Sequence, residues 1–170
     1  VRAAGIAIQS VAEVSANRPD WREELHGLYV DIDRDVPSPL EILEIPREDF
    51  EAVTLGRQML ADGFLVALDG DTLVGLTEPQ LVDGDPTALS QELTGVRSDY
   101  RGRGIAKALI LTAFNEFYRR GTYRVITDTY GESFSSSYRL YESVGMETFR
   151  RQNLYEKELR PGKELRLLDA

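Results

Sequence analysis

Six consecutive residues, Arg101-Gly102-Arg103-Gly104-Ile105-Ala106, have the composition for binding an anion. An apolar, strand-like run ends just before them at Val96, and an amphipathic helical pattern opens at Gly104. A helix start carries free backbone N–H groups and partial positive charge, so it attracts negative ligands. Gly102 and Gly104 let a ligand approach the main chain closely, and Arg101 and Arg103 add charge-assisted hydrogen bonds. Together these residues suit a diphosphate. The segment is not a Walker loop, because no Gly-Lys-Ser/Thr follows, and it lacks the first glycine of a dinucleotide-binding G-x-G-x-x-G. A phosphate-binding module for nucleotides remains a rival, and a basic loop that only caps a helix is the plainest alternative.

Composition closes off other chemistries. The chain has 170 residues, enough for one domain with a buried core over 1–170. It has no cysteine and a single histidine, His26. That excludes a disulfide scaffold, a thiolate zinc site and a cysteine nucleophile, and it speaks against a histidine-rich metal centre or a Ser-His-Asp triad. No metal is expected. His26 lies off the apolar stripe of its helix, so a structural role is expected for it. The formal net charge of −9 makes nucleic acid a poor partner. Residues 1–95 carry 6 Lys+Arg and 19 Asp+Glu, whereas residues 96–170 carry 14 and 10. The second part is suited to phosphates and the acidic first part to a cation, unless those acidic helices are merely solvated faces. No apolar run approaches the ~18–20 residues that span a bilayer, so no membrane partner is expected and a cytoplasmic location is.

The elements that must position these residues follow from periodicity. Residues 5–11 alternate as a first strand. Asn17, Pro19 and Asp20 open a helix whose face is Trp21, Leu25, Leu28 and Ile32, broken at Pro37 and Pro39. A second helix is expected from Pro46 to near Gly63, with Phe50, Val53 and Met59 inward. The runs 64–68 and 72–76, joined by Asp69-Gly70-Asp71, read as a hairpin, with the second strand running on to Val82 past a kink at Pro79. Leu89 to Val96 reads as a strand, residues 104–120 as a helix ended by Gly121, and Tyr123 to Thr129 as a strand. A short helix from the serine run 133–137 to Val144, and a last strand over Thr148 to Leu159, complete the pattern.

This order, with Arg101 to Ala106 and Leu140-Tyr141-Glu142-Ser143-Val144-Gly145-Met146, resembles the GNAT superfamily of acyl-CoA-dependent N-acyltransferases. The first segment fits that family's (Gln/Arg)-x-x-Gly-x-(Gly/Ala) signature. The second fits its Leu-Tyr-x-x-x-Gly-Phe segment, with Met146 in place of phenylalanine. The match looks closest to members that form one half of tandem two-domain chains. The resemblance implies an α/β (α+β) fold, a mixed and mostly antiparallel sheet flanked by helices, with a V-shaped splay where acyl-CoA enters. It implies acetyl-CoA as co-substrate, Thr94, Gly95 and Val96 along the pantetheine arm, and the amides of Gly102, Arg103, Gly104, Ile105, Ala106 and Lys107, with Arg101, around the pyrophosphate. Tyr141 would be the general acid at the sulfur. The family often has asparagine seven residues before this tyrosine; here Phe134 stands there, with Ser133 and Ser135 as substitutes.

Acyl transfer to an amine requires a base, a polarised carbonyl and a stabilised thiolate. Glu92 is the candidate base, four residues before Val96 on the strand that would line the cleft, with Asp128 in reserve. The Val96 N–H would polarise the thioester carbonyl. Asp31, Asp33, Asp35, Glu41 and Glu44 would recruit a cationic small-molecule or peptide amine. A homodimer or tandem partner domain is compatible with the pattern. The main rival is a non-catalytic acyl-CoA-binding or dimerisation half of a tandem protein.

Overall fold

A computed structural model describes residues 5–36, 45–56, 60–129, 137–153, 155, 157 and 159, with the side chain of residue 86 excluded. The chain runs β1 (Ile6–Ser10), α1 (Val11–Asn17), α2 (Trp21–Asp33), α3 (Arg47–Val53), β2 (Leu65–Asp69), β3 (Thr72–Val82), β4 (Asp85–Val96), α4 (Ile105–Arg119), β5 (Arg124–Ile126) and α5 (Ser137–Ser143). The strands form one sheet in the order β1-β2-β3-β4-β5. The first four pair antiparallel and β5 joins β4 in parallel, so the mixed, mostly antiparallel sheet anticipated from the motifs is the one that forms.

Each face of the sheet buries its own core. Val66, Leu68, Leu73 and Leu76 pack with α1, α2 and α3 through Val11, Leu25, Leu28, Ile32 and Phe50. On the other face Leu65, Ala67, Val74, Leu89 and Val96 pack with α4 through Ile105, Leu109, Ala113 and Phe117. The period-2 alternation of β2 and the 3.6 period of α2 and α4 dictate this division.

Several boundaries differ from the sequence pattern. Val11 opens α1 instead of extending β1, because Ser10 and Glu13 form a reciprocal capping box: Glu13 N–H donates to Ser10 Oγ (3.2 Å) and Ser10 N–H to Glu13 Oε2 (2.7 Å). Asn17 therefore ends α1, its amide donating to Glu13 O at 2.8 Å, and Asp20 is the N-cap of α2. Helix α3 stops at Val53, which is 69% exposed rather than inward; Met59 lies outside the described residues. Strand β4 begins at Asp85, directly after a tight turn at Gly84 (φ 77°), and β5 is only three residues long. The described residues between 148 and 159 form no strand, and Phe149, Tyr155 and Leu159 are left exposed.

Candidate functional site

The strand β4 pairs with β5 only through Ala88–Arg124, Leu89–Val125 and Ser90–Ile126. Beyond Ser90, β4 continues to Val96 with no β5 partner, so the two strands fork. Thr127 Oγ1 donates to Gln91 O at 2.8 Å and closes the apex of the fork. On its other side β4 pairs with β3, and the register sets which backbone groups remain free. Arg97 N–H donates to Val74 O (2.9 Å) while Gly75 stands opposite Val96. Gly75 and Val96 are thus a pair that exchanges no hydrogen bonds, and the Val96 N–H and C=O face away from β3 toward the fork. Thr94, two residues back and opposite Thr77, faces the same way. Gly95 spends its backbone on Leu76 of β3, and its side-chain position is filled from outside: a Cβ there would lie 2.1 Å from Ile32 Cγ2. Its role is to let α2 seat against β4.

After Val96 a single 3₁₀ turn over Ser98–Tyr100 leads into the basic loop. Gly102 and Gly104 adopt φ of 73° and 76°, a left-handed backbone that glycine takes without strain, and a Cβ on either would meet only open space. Gly104 O accepts from Ala108 N–H, the first helical bond of α4. Among the described residues no protein carbonyl takes the amides of Gly102, Arg103, Gly104, Ile105, Ala106 or Lys107. That row of unpaired donors at the N-terminus of a 15-residue helix fits a diphosphate.

The basic side chains of the loop already have partners. Arg101 forms an ion pair with Asp35 and donates through Nε to Val96 O at 3.1 Å. Arg103 stacks over Tyr100 with its guanidinium 4.7 Å from the ring centroid, and donates to Asp99 O. Lys107 Nζ donates to Ser143 O at 2.9 Å, at the C-terminal end of α5 where a cation opposes the helix dipole. Arg97 pairs with Asp31 at 3.1 Å. Two of the carboxylates assigned to cation recruitment, Asp31 and Asp35, are therefore engaged by the loop and tie the end of α2 to it. Glu41, Glu44, Ser133, Phe134 and Ser135 lie outside the described residues.

Tyr141 is the buried residue of α5, 9% exposed. Its phenol lies near the hydroxyls of Thr127 and Thr94, one on each arm of the fork. Burial raises its pKa above the ordinary tyrosine value, so the hydroxyl stays protonated throughout the physiological range. Thr94 in turn bonds Thr77 through their hydroxyls at 2.8 Å. Glu92 is exposed on β4, and Asp128 is exposed just past β5. His26 is structural: its Nε2 meets Ile45 O at 2.9 Å and its ring lies against Phe50.

One buried carboxylate near Glu92 stands outside the candidates drawn from the sequence. Glu78 lies within β3, is 2% exposed, and shares the α2-facing side of the strand with Leu76. Between Thr77 and Pro79 the β3–β4 register slips by one residue on β4, a bulge that includes Leu93 and Glu92. Burial, with a smaller contribution from the Glu92 carboxylate, pushes the Glu78 carboxyl up to about 7. The neighbouring Tyr29 phenol is raised as well, chiefly by burial and then by Glu78 and Asp33. A signal existed: a glutamate two residues after Leu76, on what would otherwise be an apolar strand face.

A forked mixed sheet with a cradle of helix N-terminal amides at its mouth is the layout of an acyltransferase that holds coenzyme A. The chain belongs to the Acetyltransferase (GNAT) family, whose model matches residues 23–146. Solved structures share the fold. The aminoglycoside N-acetyltransferase AAC(6')-Iy in complex with CoA is 18% identical, with a TM-score of 0.63 over 89% of this chain and 94% of that one. An aminoglycoside acetyltransferase from an uncultured soil metagenomic sample, in complex with sisomicin, is 13% identical, with a TM-score of 0.67 over 94% and 100%. A GCN5-related N-acetyltransferase from Sphaerobacter thermophilus is 24% identical, with a TM-score of 0.64 over 84% of this chain and 41% of that one. No curated protein matches the chain. Among the described residues no helix is long and apolar enough to cross a membrane, and no three His, Asp or Glu side chains gather as metal ligands.

Proposed function

We propose that the chain moves an acetyl group from acetyl-CoA to a primary amine of a cationic acceptor, by direct attack in a ternary complex. The observation that carries this reading is the unbroken row of amides from Gly102 to Lys107, unpaired among the described residues and set beside the fork of β4 and β5. Those amides would hold the pyrophosphate, and the edge groups of Thr94 and Val96 would align the pantetheine arm along β4. Arg101 and Arg103 would add positive charge at the loop, Arg101 by loosening its hold on Asp35.

The Val96 N–H faces the fork and would stabilise charge developing on the thioester oxygen. Tyr141, protonated at neutral pH and placed between the two arms, would donate its proton to the leaving thiolate. Glu92, exposed on the α2 side of the bulge, would meet the ammonium of the acceptor and serve as the route for its proton. With Asp31 and Asp35 held by arginines, Asp33 and Glu92 would attract the cation. The aminoglycosides named for two structural neighbours are cationic amines, which supports that class without identifying a member.

Release of free thiol from acetyl-CoA, followed with a panel of polyamines, aminoglycosides and peptide N-termini, tests the reading. Turnover with at least one amine is expected. Binding of acetyl-CoA without turnover for every amine would support a silent acyl-CoA-binding half instead. Calorimetry that showed ATP binding more tightly than CoA would overturn the cofactor assignment.

A further inference from the structure

The fork accounts for Tyr141 and Val96 but leaves Glu78 without a task. Glu78 is 2% exposed, and its only hydrogen-bond donor among the described residues is Gln80 Nε2, at 2.7 Å from Oε1. Its second oxygen, Oε2, is buried and receives no donor among the described residues. A carboxylate offers about four acceptor positions, and burying it with one donor costs stability that an apolar side chain would not. The Glu92 carboxylate from β4 acts on it, and Glu78 in turn acts on the Tyr29 phenol of α2, which also feels Asp33 of the same helix. Every one is acidic, and among the described residues no Lys or Arg acts on it. A buried carboxylate with a bare oxygen and only acidic neighbours is organised to receive a proton or a cation.

We propose that Glu78 is the final acceptor of the proton that the attacking ammonium must lose, with Glu92 as the group that meets the ammonium. This rests on the transferase function proposed above and names the part of that site which removes the proton. The bulge makes it geometrically reasonable, because the slipped register brings Glu92 onto the same side of the sheet as Glu78. The negative charge of Glu92 then adds to burial in favouring a proton on Glu78.

The step balances as follows. The ammonium gives one proton to the Glu78 carboxylate and becomes a neutral amine. The nitrogen lone pair forms a C–N bond at the thioester carbonyl carbon, the C–S bond breaks, and the sulfur takes the Tyr141 hydroxyl proton. The surplus proton on the new amide nitrogen restores the Tyr141 phenol. Glu78 releases its proton to water as the product leaves, so one proton is liberated per turnover. Because the Glu78 carboxyl titrates at about 7, it is able both to take and to release a proton near neutral pH.

The test compares wild type with Glu78→Gln, Glu78→Asp and Glu92→Gln at saturating acetyl-CoA, with sisomicin and spermidine as probes. In wild type kcat/KM should rise with pH through a midpoint of about 7. In Glu78→Gln it should fall about 10²–10⁴-fold at pH 7, and the midpoint should move up toward the amine's own range, roughly 10. Glu78→Asp should restore part of the rate, and Glu92→Gln should raise KM and lower the midpoint. A Glu78→Gln protein that folds, binds acetyl-CoA as wild type does and keeps the wild-type pH profile overturns the proposal. A second readout needs no turnover. In protein carrying ¹³C-carboxyl glutamate, the Glu78 resonance, identified by its loss in Glu78→Gln, should titrate near neutrality and shift its midpoint down when sisomicin is added. A Glu78 carboxyl that titrates in the ordinary range, roughly 4.3, refutes the inference whatever the kinetics show. Failure to bind acetyl-CoA at all refutes the transferase reading separately.

Discussion

Replacing Gly95 by alanine tests whether α2 and β4 are seated against each other as tightly as the structure requires. The new Cβ would stand 2.1 Å from Ile32 Cγ2 and 3.2 Å from both Ile32 Cβ and Cγ1. Carbon atoms rest at about 3.5–4.0 Å, so α2 or β4 must yield by roughly 1.5 Å at this point. Ile32 is 3% exposed and packed into the α2-side core, which leaves it little room to rotate away. Overpacking of this kind costs about 1–3 kcal/mol, which for a chain of this length lowers Tm by roughly 2–12 °C. Urea titration and calorimetry measure the loss. The discriminating step is a double-mutant cycle. Ile32→Ala alone should cost about 2–5 kcal/mol through its cavity, but Gly95→Ala should cost much less in that background, because the clashing γ-carbons are gone. Additive losses, or a Gly95→Ala protein with an unchanged Tm, would refute the packing argument and with it the account of why glycine stands at this place on the strand.

Three further outcomes are expected. Tyr141→Phe should lower kcat while leaving the acetyl-CoA Kd within about twofold, since the ring still fills its site and only the proton donor is lost; an unchanged kcat removes Tyr141 from the acid role. Gly104→Asp should weaken acetyl-CoA binding in calorimetry by tenfold or more, because it places a carboxylate on a left-handed residue (φ 76°) at the helix N-terminus meant for a diphosphate. The raised pKa of Glu78 also predicts a pH-dependent stability. Its carboxyl moves from 4.5 to about 7 on folding, so below pH 4.5 it is protonated in both states and carries no penalty, while above 7 it is ionised in both and the folded state carries the full burial cost, about 3 kcal/mol. Denaturant titrations should show wild type losing stability from pH 4.5 to 7 relative to Glu78→Gln; curves that stay parallel across that window contradict the assignment.

What the sequence disclosed and what it withheld divide along a physical line. The cradle at Arg101 to Ala106 was legible because its chemistry is local: the glycines, the arginines and the opening helix lie within a few residues, and backbone amides at a helix start need no tertiary partner. The β2–β3 hairpin was legible for the same reason, through Asp69-Gly70-Asp71 and the apolar runs on either side. Helix α1 is hidden behind the alternation of Ile6 and Ile8, from which Val11 already falls out of phase; Ser10 and Glu13, a capping box three residues apart, carry the deciding signal. The ion pairs of Arg97 and Arg101 with Asp31 and Asp35 join residues more than sixty positions apart, and no periodicity encodes them. Charge counted along the chain therefore assigned to an acceptor two carboxylates that the fold commits to the loop.

Glu78 shows the same limit from the other side. In the sequence it is one acidic residue beside Pro79, where a kink was expected and a solvated side chain would have served. It becomes chemically distinctive only when α2 closes over β3 and removes it from water, and when the bulge on β4 turns Glu92 toward it. Neither event is written in the six residues around it. The first follows from the α2-side core, in which Leu25, Leu28 and Ile32 draw the helix down onto Leu76 and the strand positions beside it. The apolar packing that stabilises the fold is thus also what lifts the Glu78 carboxyl toward neutrality. A change that loosens α2 without touching a charge should shift the titration of this group before it shifts anything at the cofactor loop.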